Sequence, residues 1–395
     1  MLSSDGRILF LTRILRLFGY GFLSVILVIY LKSMALSQNQ IGWLLALTLV
    51  GDAVISLGIS LIADTVGRKY MLRVGALLMV FAGILFACTD NFIFLLLAAI
   101  IGVISPSGNE VGPFLAIEQA SLSHLVPDDK RIGVFAWYNL LGFCATALGA
   151  LMVGIFFRAL VGMRIEDLIS YKIIVLVYGL LGLVLWFLFG QLSQKIEVNS
   201  TQKPLNFISL AVVLRLSSLF ALDAFAGGFI MQSLLAYWFY VRFGADIAVL
   251  GGIFFGANLL AGISSLLAVR LARRIGLINT MVFTHLPSNI LLILVVLMPN
   301  LTWAVIVFLV RCTISQMDVP TRQAYVMAVV TPSERSAAGG ITNVARTLGA
   351  SIAPLLAVPL LGHPALAGIP IILAGGLKII YDLLLFGQFR KIKLP

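Results

Sequence analysis

Apolar runs long enough to cross a membrane follow one another along almost the whole chain. Each apolar run should form a helix, because backbone polar groups in lipid must find their partners within the segment. The ten-residue alternation typical of a transmembrane barrel is missing from the pattern. Charged and turn-forming residues bound twelve predicted spans, at about 8–31, 41–62, 71–89, 92–122, 132–157, 171–190, 213–240, 247–269, 279–298, 301–329, 337–361 and 366–388.

The composition agrees with an all-α integral membrane protein and excludes several other classes. Of 395 residues, 61% are apolar and only 11% are charged, against about 25% charged in a soluble domain. This excludes a soluble enzyme, a nucleic-acid-binding domain and a disulfide scaffold. The three cysteines, Cys88, Cys144 and Cys312, lie in apolar runs, so no disulfide framework is expected.

The basic residues predict how the chain is oriented. With the N-terminus inside, fifteen Lys and Arg residues fall in cytoplasmic connections and five in outer ones. This excess follows the positive-inside rule and explains the net charge of +11 without nucleic acid. We therefore expect both termini in the cytoplasm, in a multi-pass protein of the plasma (inner) membrane.

An internal repeat divides the chain. The polar stretch 191–206 separates a bundle at 1–190 from a second bundle at 207–395, each with six predicted spans. Residues match at an offset of 209 in the second span and at 204 from the fourth span, where Glu118 meets Arg322. The change in offset predicts five extra residues in the first half, near 105–113. Transporters built from repeats place their substrate site near the midplane, beside interrupted helices.

The connection after the second span carries a recognisable motif. It reads Ser60-Leu-Ile-Ala-Asp-Thr-Val-Gly-Arg-Lys69, which resembles the Gly-x-x-x-Asp-Arg-x-Gly-Arg-Lys motif of the major facilitator superfamily. It departs from the motif at Ser60, where Gly is usual, and at Thr65, where a basic residue is usual.

The resemblance implies two pseudo-symmetric six-helix bundles that rock around a cavity lined by the first, fourth, seventh and tenth spans. It also implies that the motif loop latches the two halves in the outward-open state. The residues to which this gating role is carried are Asp64, Gly67, Arg68 and Lys69.

The tenth span contains the longest series of polar residues. On a continuous helix, steps of 4, 3, 4 and 3 would align Arg311, Ser315, Asp318, Arg322 and Tyr325 in one stripe. Charges inside a membrane helix are costly, so such a stripe should line a polar cavity, with Asp318 paired to Arg322. The alternative is a structural network that fixes helix packing.

The fourth span contributes candidate acids. Asn109 and Glu110 lie near midplane depth, where Glu110 is either a proton carrier or a hydrogen-bonded structural acid. Glu118 lies at the repeat position of Arg322, and the two side chains could meet across the halves to close an inner gate. Equally, Glu118 could cap the network at the cytoplasmic mouth.

Two further spans carry charges at similar depth. Arg13, Arg16 and Tyr20 share one face of the first span, while Asp223 and Gln232 lie in the seventh. The arginines either line the cavity or extend their charges to the membrane interface.

We therefore predict a secondary transporter for a small anionic or zwitterionic solute, driven by protons through Glu110, Asp223 or Asp318. Arg forks suit carboxylates and phosphates; the five arginines in or near the cavity are Arg13, Arg16, Arg311, Arg322 and Arg346. The alternatives are a proton-driven exporter of amphipathic drugs or metabolites and a non-transporting receptor or scaffold. We expect a monomer in contact with membrane lipids, with no enzyme activity, cofactor, metal or nucleic-acid partner.

Overall fold

The computed structural model describes residues 3–197, 210–330, 334–363 and 365–390. Residues 198–206 of the predicted connection lie outside the described residues. The described helices α1 to α16 are, in order, Ser4–Ser24, Leu27–Ser33, Gln38–Val66, Arg68–Cys88, Phe92–Ile101, Phe114–Leu125, Asp128–Gly162, Asp167–Gly190, Leu210–Gly228, Gln232–Phe243, Ile247–Ile275, Leu277–Leu297, Leu301–Cys312, Asp318–Val329, Arg335–Leu361 and Ile369–Phe389.

These helices account for the twelve predicted spans and confirm the all-α membrane fold. Within the described residues, nine helices or helix pairs are long and apolar enough to cross a membrane, and α1 with α2 forms a tenth span bent by 45°. The remaining two spans are the fourth, made of α5 and α6, and the tenth, made of α13 and α14.

The first, fourth, seventh and tenth spans are all interrupted. The interruptions lie at 25–26, 102–113, 229–231 and 313–317. The prediction of one continuous helix through the tenth span is therefore wrong. Pro320 supplies a physical reason, because its ring has no N–H for the carbonyl of Gln316 and would collide with that carbonyl. In the structure Pro320 lies in the first turn of α14, where no N–H is needed.

The helix boundaries reproduce the sequence repeat. Helices α3 and α11 each contain 29 residues and begin 209 positions apart, at Gln38 and Ile247. Helices α6 and α14 each contain 12 residues and begin 204 positions apart, at Phe114 and Asp318. The five extra residues of the first half therefore lie in the interruption of the fourth span, where the sequence predicted them.

The two ends of the bundle can be distinguished by two residues. On the Asp5 side, Ser193 donates its backbone N–H to Asp5 at 2.9 Å, which ties the start of the chain to the end of the sixth span. On the Asp246 side, Arg158 and Asp246 form an exposed ion pair at 2.9 Å between the halves.

Among the described residues, three pairs of helices make the main packing contacts between the halves: α2 with α10, α3 with α15 and α7 with α11. Close backbone approach near the Asp246 side depends on glycine. A methyl group on Gly154 would lie 2.6 Å from Ala248 Cα, and one on Gly251 would lie 2.6 Å from the Ala150 carbonyl oxygen. Small residues allow membrane helices to pack at this distance.

Candidate functional site

Arg16 is the centre of an ion-pair network in the first half. Its guanidinium is fully buried and donates to both oxygens of Glu118, at 2.8 and 2.7 Å. Its Nε also donates to Glu110 Oε1 at 2.7 Å. A side chain held in this way does not extend to the membrane interface, so that alternative is wrong for Arg16. Such bidentate, charge-assisted bonds are among the strongest in proteins.

Arg13 completes this network from the preceding turn of α1. It donates to Glu110 Oε2 at 2.8 Å, to the Tyr138 carbonyl at 3.0 Å and to Asn139 Oδ1 at 3.3 Å. Arg13 is only 7% exposed, so it too points inward. The Tyr138 hydroxyl donates to Glu118. Two arginines therefore neutralise two glutamates, as buried charges require.

Asp223 is the centre of a second network in the other half. Its Oδ1 accepts from Lys378 Nζ at 2.6 Å, and its Oδ2 accepts from Arg322 and Arg346, both at 3.2 Å. Arg322 also donates to Asp318 at 2.9 Å, so the predicted pair within the tenth span is formed. Three cations thus converge on one carboxylate.

Sequence reasoning missed the extension of the second network into the ninth and twelfth spans. His285, in the ninth span, lies with its Nδ1 2.8 Å from Asp382 Oδ1. Asn289 Nδ2 donates to Asp382 Oδ2 at 3.1 Å. Lys378 and Asp382, in the twelfth span, are 7% and 0% exposed. Their spacing of one turn inside a 21-residue apolar helix was a signal for this burial.

The stripe predicted along the tenth span is not one continuous surface. Arg311 ends α13, Ser315 lies in the interruption, and Asp318, Arg322 and Tyr325 belong to α14. Arg322 and Asp318 join the Asp223 network. The Nε of Arg311 is buried and has no hydrogen-bond partner within the described segments.

The interruptions of three spans meet where the two halves touch. Gln232 donates to Ser24 Oγ at 2.8 Å and accepts from Asn258 Nδ2 at 3.0 Å. Next to it, the Ser233 N–H donates to the Pro106 carbonyl at 3.0 Å. Gln232, a candidate binding residue, is thus engaged in contacts that join the first and seventh spans.

The interruption of the fourth span is stabilised by partners from neighbouring helices. Tyr20 donates to the Val111 carbonyl at 3.1 Å, and the Asp52 carboxylate accepts from the Gly112 N–H. Backbone groups that leave a helix inside a membrane need such partners. Tyr20 therefore has a supporting contact in this conformation.

Replacing Gly108 by Val is expected to destabilise the junction by about 2 kcal/mol or more. Gly108 has φ +71°, a left-handed conformation that costs other residues about 1–2 kcal/mol. An added Cβ would lie 3.0 Å from Ser24 Oγ and 3.2 Å from Gln232 Nε2. The thermal unfolding midpoint of the purified protein in detergent should fall. Gly252→Ala, which has open space at its Cβ, should not lower it; an unchanged midpoint in Gly108→Val would contradict the argument.

The motif loop binds the segment that follows the sixth span. Arg68 donates through Nε to Asp64 at 2.7 Å, and its backbone N–H donates to Glu197 at 2.7 Å. The Lys69 N–H donates to the same carboxylate at 3.1 Å. Gly67, with φ +118°, makes the turn. The contacts described for the loop are made within its own half and to the connection 191–206, and its role as a latch between the halves stays a prediction.

A small set of polar groups remains accessible at the edges of the two networks. The Arg346 side chain is 30% exposed and that of Glu110 is 12% exposed, whereas those of Arg322 and Asp223 are 7% and 4% exposed. Asn109 and Asn139 are also exposed. Arg346 is therefore the most accessible of the three cations that contact Asp223.

A family match covers most of the chain that contains these interrupted spans, repeated helices and buried charges. Residues 9–354 match the model described as Major Facilitator Superfamily. The chain belongs to this superfamily. It is a multi-pass membrane transporter and not an enzyme.

One relative and several solved structures cover almost the whole protein. The chain is 29% identical to the uncharacterized membrane protein YJR124C of Saccharomyces cerevisiae, over 98% of this chain and 94% of the relative. The nucleoside transporter NupG superposes with a TM-score of 0.75 at 12% identity, covering 99% of this chain and 100% of NupG.

Two further structures show the same fold at low identity. A bacterial homolog of the human lysosomal transporter Spinster, in an inward-facing conformation, gives a TM-score of 0.74 at 14% identity and covers 97% and 96% of the two chains. The human organic anion transporter MFSD10 gives 0.66 at 16% identity, with 97% and 100% covered. These similarities show that the chain has the superfamily fold.

Proposed function

We propose that this superfamily member moves a small anionic or zwitterionic solute, coupled to protons. The observation that carries the proposal is the convergence of Lys378, Arg322 and Arg346 on Asp223, with Arg346 at the accessible edge. Asp223 keeps two cations if Arg346 turns towards a solute. Arg346 can then offer its guanidinium fork to a carboxylate or phosphate.

Alternating access would occur by rocking of the halves 1–190 and 207–395. Hydrogen bonds between the halves in the described segments join Arg158 to Asp246, Gln232 to Ser24, and Ser233 to Pro106. These contacts lie on the Asp246 side or near the interruptions. Since the positive-inside rule places the Asp5 side in the cytoplasm, we assign an inward-facing conformation in the plasma (inner) membrane.

The proposed gates belong to the opposite conformation. Here Glu118 is bound by Arg16, and Arg322 is bound by Asp318 and Asp223, so the pair Glu118–Arg322 is not formed. On this proposal, closure of the Asp5 side would bring this pair and the motif loop into contact across the halves. A monomer suffices, because the proposed cavity lies within one chain.

The proton carriers proposed from the sequence keep this role in the proposal. Glu110 is the most accessible of the three, with 12% of its side chain exposed. Asp223 and Asp318 are buried and each is paired with Arg322. Protonation of any of these carboxylates would weaken its hold on an arginine, which links proton binding to solute binding.

Uptake into proteoliposomes tests the proposed function. The panel of labelled solutes contains lactate, succinate, inorganic phosphate, glutamate and alanine. Accumulation of at least one of them should rise several-fold when a pH gradient is imposed. Glu110→Gln should reduce that accumulation. Asp90→Asn, which breaks a partly exposed pair with Lys172 within the first half, should retain it.

Two outcomes would contradict the proposal. One is uptake that depends neither on the pH gradient nor on Glu110. The other is transport of amphipathic cations together with tolerance of arginine substitutions, which would favour the drug exporter.

A further inference from the structure

Asp382 differs from the carboxylates of the two ion-pair networks in the partners that it has. It is fully buried and contacts His285 Nδ1 at 2.8 Å and Asn289 Nδ2 at 3.1 Å. Among the described residues, no lysine or arginine lies within ion-pair distance of it. Glu110, Glu118, Asp223 and Asp318, by contrast, each pair with an arginine.

Among these five carboxylates, this difference decides which one can accept a proton without competing with an arginine. Arginine is permanently charged in proteins, so a proton added to a carboxylate paired with arginine must compete with a fixed cation. At Asp382 the partner is an imidazole, whose charge changes between about pH 5 and 8 when it is unperturbed. The pair formed by His285 and Asp382 can therefore take up one proton without displacing an arginine.

The position of His285 connects this pair to the proposed solute-binding residues. A neutral imidazole that donates from Nδ1 to Asp382 carries its lone pair on Nε2. That Nε2 lies 4.0 Å from Asp223 Oδ1, the oxygen that also accepts from Lys378. A proton on Nε2 would thus be placed between two carboxylates and next to the carboxylate that holds Arg346.

The charged groups around His285 are balanced before the proton arrives. Asp223, Asp318 and Asp382 oppose Arg322, Arg346 and Lys378, and the Tyr381 ring centroid lies 6.1 Å from that of His285. Two other helices pack against α12. Helix α13 ends with Arg311 and Cys312. Helix α11 has three exposed arginines at its Asp5-side end: Arg270, Arg273 and Arg274. One added proton therefore gives this network a net positive charge.

The first half lacks an equivalent pair. The repeat offsets of 209 and 204 place Ala76 at the position of His285 and Tyr178 at that of Asp382. Tyr178 donates to the Val103 carbonyl and forms no ion pair among the described residues. The shared fold therefore does not require His285 and Asp382.

We infer that His285 and Asp382 form a further proton-binding site, in addition to the proposed carriers Glu110, Asp223 and Asp318, and that this site couples transport to the pH gradient. The proton comes from water and adds to His285 Nε2, with no covalent bond formed or broken between heavy atoms. The resulting imidazolium competes with Lys378 for Asp223 and weakens the hold of Asp223 on Arg346, which then receives the anionic solute. Proton and anion bind together, so the coupling is symport. This inference rests on the proposed function and adds its proton site.

A measurement that needs no solute tests the site directly. The chain has three histidines, His124, His285 and His363, so the imidazole resonances of ¹⁵N-histidine-labelled protein can be assigned with His285→Gln. The His285 resonances should change when the wild-type protein is acidified. In Asp382→Asn this change should be lost or much reduced, while Asp246→Asn should leave it unchanged. A His285 signal that does not change with pH, or that is indifferent to Asp382→Asn, would overturn the site.

Transport assays separate failure of the site from failure of the proposed function. With labelled lactate, succinate or phosphate, Asp382→Asn should lose at least tenfold in gradient-driven accumulation but retain exchange at equal pH. Asp382→Glu, which keeps the carboxylate, should recover part of the coupling and controls for misfolding. Full gradient-driven accumulation in Asp382→Asn would overturn the site alone. If accumulation by the wild-type protein does not depend on the pH gradient, the proposed proton coupling is overturned as well.

Discussion

Asp223→Asn is expected to destabilise the protein by about 3–5 kcal/mol, the cost of removing one partner from a buried ion pair. Asparagine has no charge to offset Lys378, Arg322 and Arg346, and Lys378 has no other ion-pair partner within the described residues. Lys378 is 7% exposed, so water cannot replace the lost carboxylate. A large fall in the thermal unfolding midpoint, or loss of folded protein from the membrane, should result.

A second substitution distinguishes loss of charge balance from loss of a side-chain shape. Asp223→Asn combined with Lys378→Met should recover part of the stability, because buried ion pairs replaced by apolar residues are often neutral. Asp246→Asn breaks an ion pair whose side chains are 62% and 58% exposed and should cost about 0–1 kcal/mol. Equal effects of Asp223→Asn and Asp246→Asn would show that the network does not bear on stability.

The sequence was sufficient to predict the fold because the membrane imposes a length on each span. Twelve apolar segments predicted twelve spans, and the structure places one helix or one interrupted pair in each. The change of repeat offset even located the long interruption at 102–113. The length of an apolar segment and the offset of a repeat depend only on residue type and position along the chain, and both can be read from the sequence.

The interruption of the tenth span could not be found in the same way. Residues 301–329 stay apolar enough to read as one helix, and the stripe through Arg311 and Arg322 assumed that continuity. Pro320 cannot donate to the Gln316 carbonyl, so the new helix begins close before it, at Asp318. Proline was visible in the sequence, but its effect depends on where the next helix starts.

The sequence also did not show which residues, distant along the chain, are paired in the structure. His285 and Asp382 are 97 residues apart, and Arg16 and Glu118 are 102 apart. Helical spacing identifies neighbours within one helix, whereas these pairs depend on how the helices pack. The sequence therefore indicated charges that needed partners inside the bundle, and only the fold showed which carboxylate each cation meets.

Arg346→Gln is expected to reduce the apparent affinity for the transported anion by roughly 10–100-fold. Hydrogen bonds to charged groups contribute about 1.5–3 kcal/mol, and each 1.4 kcal/mol is a factor of ten. Stability should change little, because Asp223 keeps Lys378 and Arg322. The measurement is the half-saturation concentration of the anion that the proteoliposome panel identifies, together with the unfolding midpoint of the same preparation.

Two matched variants show whether charge or fork geometry is responsible. Arg346→Lys keeps the charge without the planar fork and should give an intermediate loss. Arg242→Gln removes an exposed arginine in the last turn of α10, four residues before Asp246, and should leave the affinity unchanged. If Arg346→Gln transports with wild-type affinity, Arg346 does not bind the solute. The remaining buried cations would then serve to hold the helices together, and an amphipathic solute would become the better candidate.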